Sequence, residues 1–131
     1  MNPPRLSSTT MTIPSEHMAT TRGVSYARVQ AIASELPGVE DSTSYGTPAL
    51  KVRGTLLARL KEDGETLVLK TTFTDRELLL GGAPDVFYLT DHYQKHPWIL
   101  VRLPQIDESF LRELIAEAWR LSAPASLVTL R

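Results

Sequence analysis

Between Ala49 and Lys61 the chain carries Lys51, Arg53, Arg59 and Lys61 and no acidic residue. In an extended strand, side chains alternate between two faces, which separates these cations from Leu50, Val52, Leu56, Ala58 and Leu60. Lys70 and Arg102 hold the same parity in two later apolar stretches. Lys51, Arg53, Arg59, Lys70 and Arg102 thus form a candidate nucleic-acid-binding set on one sheet face, where ammonium and guanidinium groups could follow a phosphate backbone. The competing reading is a solvated face, since Lys and Arg also discourage strands from pairing edge to edge.

A second group, Tyr45, Thr47, His92, Tyr93 and Trp98, stands in loops or at strand ends and could line a pocket. Tyr45-Gly46-Thr47-Pro48 serves equally well as a turn, because glycine frees the backbone and proline fixes entry into a strand. His92 and His96 are four residues apart near Asp85 and Asp91. Pro97 biases His96 away from helical backbone angles, so the pair does not share a helix face, and no metal site is expected. Neither a G-x-S-x-G nor an S-x-x-K nucleophile signature is present. Gly81-Gly82 follows an expected helix, where a phosphate-binding loop would precede one. The residues therefore give no catalytic set and no cofactor, and a binding domain without enzymatic activity is the reading they favour.

Composition sets the outer limits. The chain has 131 residues, no cysteine and a net charge of −1. That is the length of one domain, and it lacks disulfides, thiolate metal sites and cysteine nucleophiles. Hydrophobic residues at 42% and charged residues at 22% are globular values. The near-zero charge provides no global attraction to nucleic acid or anionic membranes, so any such contact must be local. No apolar run approaches the ~20 residues needed to span a bilayer. A cysteine-free, membrane-free chain suits the cytoplasm.

The elements that must position these residues can be read in order. Residues 1–22, rich in Ser, Thr and Pro, are expected to be a disordered tail, with Met11 and Met18 as alternative starts. A helix is expected over Tyr26–Leu36, with Val29, Ile32, Ala33 and Leu36 as its apolar stripe and Ser25 as its cap. A loop follows over Val39–Pro48. Three strands come next, Ala49–Arg53, Thr55–Lys61 and Glu65–Thr71, the last two joined by Asp63-Gly64 as a hairpin tip. Thr74-x-x-Glu77 reads as a capping box opening a short helix that stops before Gly81. Phe87–Thr90 and Trp98–Leu103 are expected strands around the loop Asp91–Pro97. Asp107 caps a last helix, whose stripe is Leu111, Leu114, Ile115, Ala118 and Leu121. Pro124 closes it, leaving residues 125–131 as a tail and 23–124 as the domain. The order α-β-β-β-α-β-β-α with short connections predicts an α+β fold of two layers, a five-stranded, mostly antiparallel sheet covered by helices.

Three stretches also carry a family likeness. Leu36-Pro37-Gly38-Val39 with Tyr45 through Gly54, then His92-Tyr93 with Trp98 through Leu103, and finally Ala118 through Pro124, resemble the MmcQ/YjbR family of small bacterial proteins. Thr55 and Leu57 depart from the lysine and phenylalanine common there. The resemblance implies a YjbR-like sheet-and-helix fold similar to secretion chaperones. It implies nucleic-acid binding only by analogy of fold, and no catalytic residues. Nucleic acid is the first expected partner, held weakly and electrostatically; the alternative is a protein partner, as for a chaperone-like module. A small-molecule site ranks behind both.

Overall fold

A computed structural model of the chain describes residues 23–128; the tail expected over 1–22 and residues 129–131 lie outside the described residues. The elements are α1 (Tyr26–Ala33), β1 (Val39–Ser44), β2 (Thr47–Val52), β3 (Thr55–Leu60), β4 (Thr66–Lys70), α2 (Phe73–Gly82), β5 (Phe87–Tyr88), β6 (Trp98–Arg102), α3 (Glu108–Ser122) and α4 (Ala125–Val128). The strands form one antiparallel sheet of six in the order β1-β2-β3-β4-β6-β5. The inner face carries the core. Leu50, Leu57, Leu67, Leu69, Ile99 and Val101 pack there against Val29, Ile32 and Ala33 of α1 and Leu111, Ile115, Ala118 and Trp119 of α3. A bidentate Arg28–Glu108 pair ties the exposed rims of the same two helices, and Arg112 of α3 makes a single bond to Glu35 just past α1.

The sixth strand, β1, occupies what the sequence presents as a loop. Val-Glu-Asp-Ser-Thr-Ser is nearly all polar and mostly exposed. As an edge strand it needs only backbone bonds to β2, so it shows no apolar alternation. Both turns flanking β2 place two successive residues at positive φ: Tyr45 (54°) with Gly46 (79°), and Arg53 (49°) with Gly54 (84°). This is the two-residue geometry whose twist matches that of paired strands.

The alternation expected along β3 breaks at a bulge. Leu50 faces Ala58 while Lys51 faces Leu56, which leaves Leu57 without a partner. A bulge residue lets two neighbours point the same way, so Leu57 enters the core beside Ala58, and Leu56 shifts to the outer face with Arg59. A hairpin with Asp63-Gly64 at its tip forms, with Gly64 at φ 74°, but its loop runs over residues 61–65 where the sequence predicts a two-residue turn, and Asp63 is not at positive φ. The Asp63 carboxylate accepts from the Glu65 N–H, the Thr66 N–H and the Thr66 hydroxyl.

The helices differ from expectation in several places, beginning with α1, which ends at Ala33 instead of Leu36. Thr72, not Thr74, caps α2 by accepting from the Asp75 N–H, and the helix runs through Gly81-Gly82. Asp107 caps α3 as expected, but its buried stripe is Leu111, Ile115, Ala118, Trp119 and Ser122. Leu114 is half-buried and Leu121 exposed, because the indole of Trp119 takes the inward position and donates to the Pro37 carbonyl at 2.8 Å. Past Pro124 the chain does not leave the body: Leu127 of α4 is buried, and its Cδ1 would lie 2.8 Å from a Cβ placed on Gly38.

Candidate ligand groove on the outer sheet face

Cross-strand partners share a face, so the register identifies the side turned away from the helices. Arg59, Val68, Leu100 and Tyr88 form one row, Lys70 sits opposite Trp98, and Thr66 sits opposite Arg102. This outer face is not the open basic surface the sequence suggests. Val68, Leu100 and Tyr93 make a second, smaller apolar cluster on it, with Tyr88, Leu89 and Trp98 at its edge. The segment between β5 and β6, a short 3-10 turn at Asp91–Tyr93 and the residues to Pro97, folds across the sheet and supplies Tyr93.

One residue from the opposite side of that segment holds it in place. Arg76, buried in α2, donates from its terminal nitrogens to the carbonyls of Tyr93, Gln94, His96 and Trp98 at 2.7–3.3 Å. A planar guanidinium can serve several acceptors at once, which suits it to gather a non-repetitive backbone. Nothing in the sequence around Arg76 distinguishes it from an exposed helical arginine.

Between this segment and the β1–β2 turn lies a groove of about 300 Å³. Its walls are Tyr45, His92, Tyr93, His96 and Trp98, and its floor is Leu56, Arg59 and Val68. Of the pocket residues expected from the sequence, Tyr45, His92, Tyr93 and Trp98 meet here. Thr47 stands behind them: its hydroxyl donates to the Ser44 carbonyl and accepts from Arg59. Arg59 is only 6% exposed. Its Nη1 donates to Thr47 Oγ1 at 2.8 Å, its Nη2 donates to the Tyr93 hydroxyl at 3.1 Å, and its guanidinium lies 5.3 Å from the Tyr45 ring centre. Among the described residues the one carboxylate within ion-pair reach is Glu62, exposed and 3.7 Å away. No acidic side chain lines the groove.

The other basic residues separate. Lys70 places its ammonium 5.5 Å from the Trp98 ring centre, and burial holds its pKa below the ordinary lysine value. Arg102 covers the Tyr88 ring at 4.2 Å and reaches the carbonyls of Pro84 and Asp85. Lys51 lies on the same face beside Leu56, with Glu40 as its other neighbour. Arg53 leaves the set: it sits in the turn after β2, with its Nε near Gly38 and Leu127. Three cation–aromatic pairs, Arg59–Tyr45, Lys70–Trp98 and Arg102–Tyr88, therefore span the outer face. Among the described residues, no three His, Asp or Glu side chains are grouped as metal ligands. No helix among them is long and apolar enough to cross a membrane.

The YjbR family model matches residues 34–121, which include Tyr45, Arg59, Arg76, His92 and Trp98. The chain belongs to the YjbR family. An uncharacterized protein of Mycobacterium bovis is 44% identical over 50 residues, 38% of this YjbR chain and 39% of its own length. Uncharacterized proteins of two Mycobacterium tuberculosis strains match to the same extent, so the aligned part spans 39% of these relatives. The crystal structure of Deinococcus radiodurans protein DR2400, a DUF419 domain, superposes with a TM-score of 0.65 at 22% identity, covering 74% of this chain and 77% of that one. That likeness establishes a common fold for the YjbR chain and DR2400.

Proposed function

We propose that this YjbR-family protein is a non-catalytic nucleic-acid-binding domain whose outer sheet face receives single strands. The observation that carries the reading is the three cation–aromatic pairs on one face. Single-strand binders combine cations that track the backbone with aromatic rings on which unstacked bases lie. Tyr45, at 84% exposure, and the half-buried Tyr88 and Trp98 offer such rings, each beside a cation. The face fits duplex less well, because Tyr93 and the segment between β5 and β6 rise above it, and a rigid rod needs an open surface. With four cations available and a net charge of −1, binding is weak, sequence-tolerant and sensitive to salt.

The test is fluorescence anisotropy with labelled single strands and duplex over a range of salt. Single strands should bind more tightly than duplex. Replacing Lys51 and Lys70 together with Gln should make the log–log salt slope shallower by roughly 1.4, at ~0.7 per single-strand phosphate contact. Absence of saturable binding at low salt, or indifference to the double substitution, refutes the reading.

A protein partner is supported by a different surface. Leu78 at 69% exposure, with Leu79, Ile99 and Leu114, borders an apolar cleft of about 140 Å³ between α2 and α3. The exposed Leu78 side chain beside this cleft is where an apolar side chain of a partner would seat. Loss of a protein partner on Leu78→Glu, with strand binding absent in the wild type, would favour it.

A further inference from the structure

We infer that the groove beside Tyr45 is a seat for one nucleotide unit, with a base lying on the Tyr45 and Trp98 rings and a phosphate taken by Arg59. This rests on the nucleic-acid reading and narrows it from a face to a pocket.

Three features point to the seat. The first is an incompletely used buried cation. Arg59 gives Nη1 to Thr47 and the Leu60 carbonyl and Nη2 to Tyr93, which leaves its Nε–H and one Nη2–H without a protein acceptor among the described residues, with the Nε open to solvent. Its nearest carboxylate is exposed and 3.7 Å off. A buried cation is normally paired, and a phosphate would pair this one through geometry that guanidinium groups favour.

The second is Tyr45. At φ 54° it occupies the left-handed region, where a two-residue turn ordinarily takes Asn, Asp or Gly. With 84% of its surface exposed, it recovers little of that cost through burial. Arg53 holds the same conformation in the next turn, so what singles out Tyr45 is a solvent-exposed aromatic ring kept at such a position beside the groove.

The third is the composition of the walls. Aromatic and imidazole rings, two aliphatic side chains and no acid suit a flat body bearing negative charge. A volume of about 300 Å³ stands at the low end for small-ligand sites, ~300–1,000 Å³, which is room for about one nucleotide.

Titration of the full chain separates the possibilities. Binding of AMP and UMP, adenosine, and inorganic phosphate is followed by amide shift perturbation and by Trp98 fluorescence, with Trp98→Phe identifying the signal against Trp119. The expected result is that both monophosphates bind and shift residues around 45, 59 and 93. Adenosine and phosphate alone should each bind at least tenfold more weakly. Tyr45→Asn, which the turn accommodates, should weaken the monophosphates at least tenfold. Equal binding of adenosine and AMP, or monophosphate binding unaffected by Tyr45→Asn, overturns the seat. If decamers bind with salt-dependent affinity while monophosphates do not, the seat is wrong and the face-level reading stands. If monophosphates bind as expected and decamers bind no tighter, the seat stands and the strand-binding reading falls.

Discussion

Replacing Tyr45 with Asn should leave the fold as stable as before, or more so, while removing binding. In the left-handed region a residue with a Cβ costs roughly 1–2 kcal/mol, less for Asn, whose short polar side chain bonds locally. Against that relief stands the loss of the contact between the exposed Tyr45 ring and the Arg59 guanidinium 5.3 Å from its centre, worth ~0.5–1 kcal/mol at an exposed site. The difference is a gain of about 0.5 kcal/mol. For a body of this size, at ~4 °C per kcal/mol, the midpoint should stay level or rise by about 2 °C. Thermal denaturation followed by circular dichroism reads the first effect, and anisotropy with a labelled decamer reads the second. A fall in Tm of more than about 4 °C, close to 1 kcal/mol, would mean that Tyr45 packs for stability and that its strain carries no functional message.

Other outcomes follow from the packing. Arg76→Leu removes the donors to four carbonyls; it should destabilise by about 3 kcal/mol or more and speed hydrogen exchange at residues 91–97 beyond the rest of the chain. Ile115→Ala, at a site 1% exposed, should cost ~2–5 kcal/mol by urea denaturation; Leu114→Ala, half-buried beside a cleft, should cost clearly less. Burial, with a smaller contribution from Asp41, pushes the Tyr26 hydroxyl up to about 12 from 10.0. The unfolded chain therefore loses this proton first, and stability should decline as pH rises from about 10 to about 12. Tyr26→Phe should remove that part of the decline at little cost, since the buried hydroxyl has no hydrogen-bond partner.

The parts of the fold legible in the sequence were those with local causes. Asp63-Gly64 carries its own turn chemistry, and α1 and α3 announce themselves by caps and apolar spacing. What stayed hidden depends on partners distant in the chain. β1 is polar because an edge strand is held by its neighbour's backbone. Leu57 breaks the alternation because of a bulge that only the β2–β3 register defines. Thr72 and Thr74 are both competent caps by type, and tertiary packing chose the earlier one. The site divides the same way. Residue type brought out Tyr45, Thr47, His92, Tyr93 and Trp98, and the structure gathers them around Arg59. Arg53 has the charge of its companions but falls in a turn. Arg76, which fixes the groove's far wall, has no local signature, since its acceptors are backbone carbonyls some twenty residues away.

Whether the outer sheet face receives nucleic acid can be read by mapping amide shifts of the labelled protein as an unmodified single-stranded decamer is added at low salt. Saturable shifts concentrated at Tyr45, Arg59, Lys70, Tyr88, Trp98 and Arg102, collapsing as salt is raised, are expected. Shifts confined to Leu78, Leu79 and Leu114 on the helical side, or none at all, would contradict nucleic-acid binding on that face.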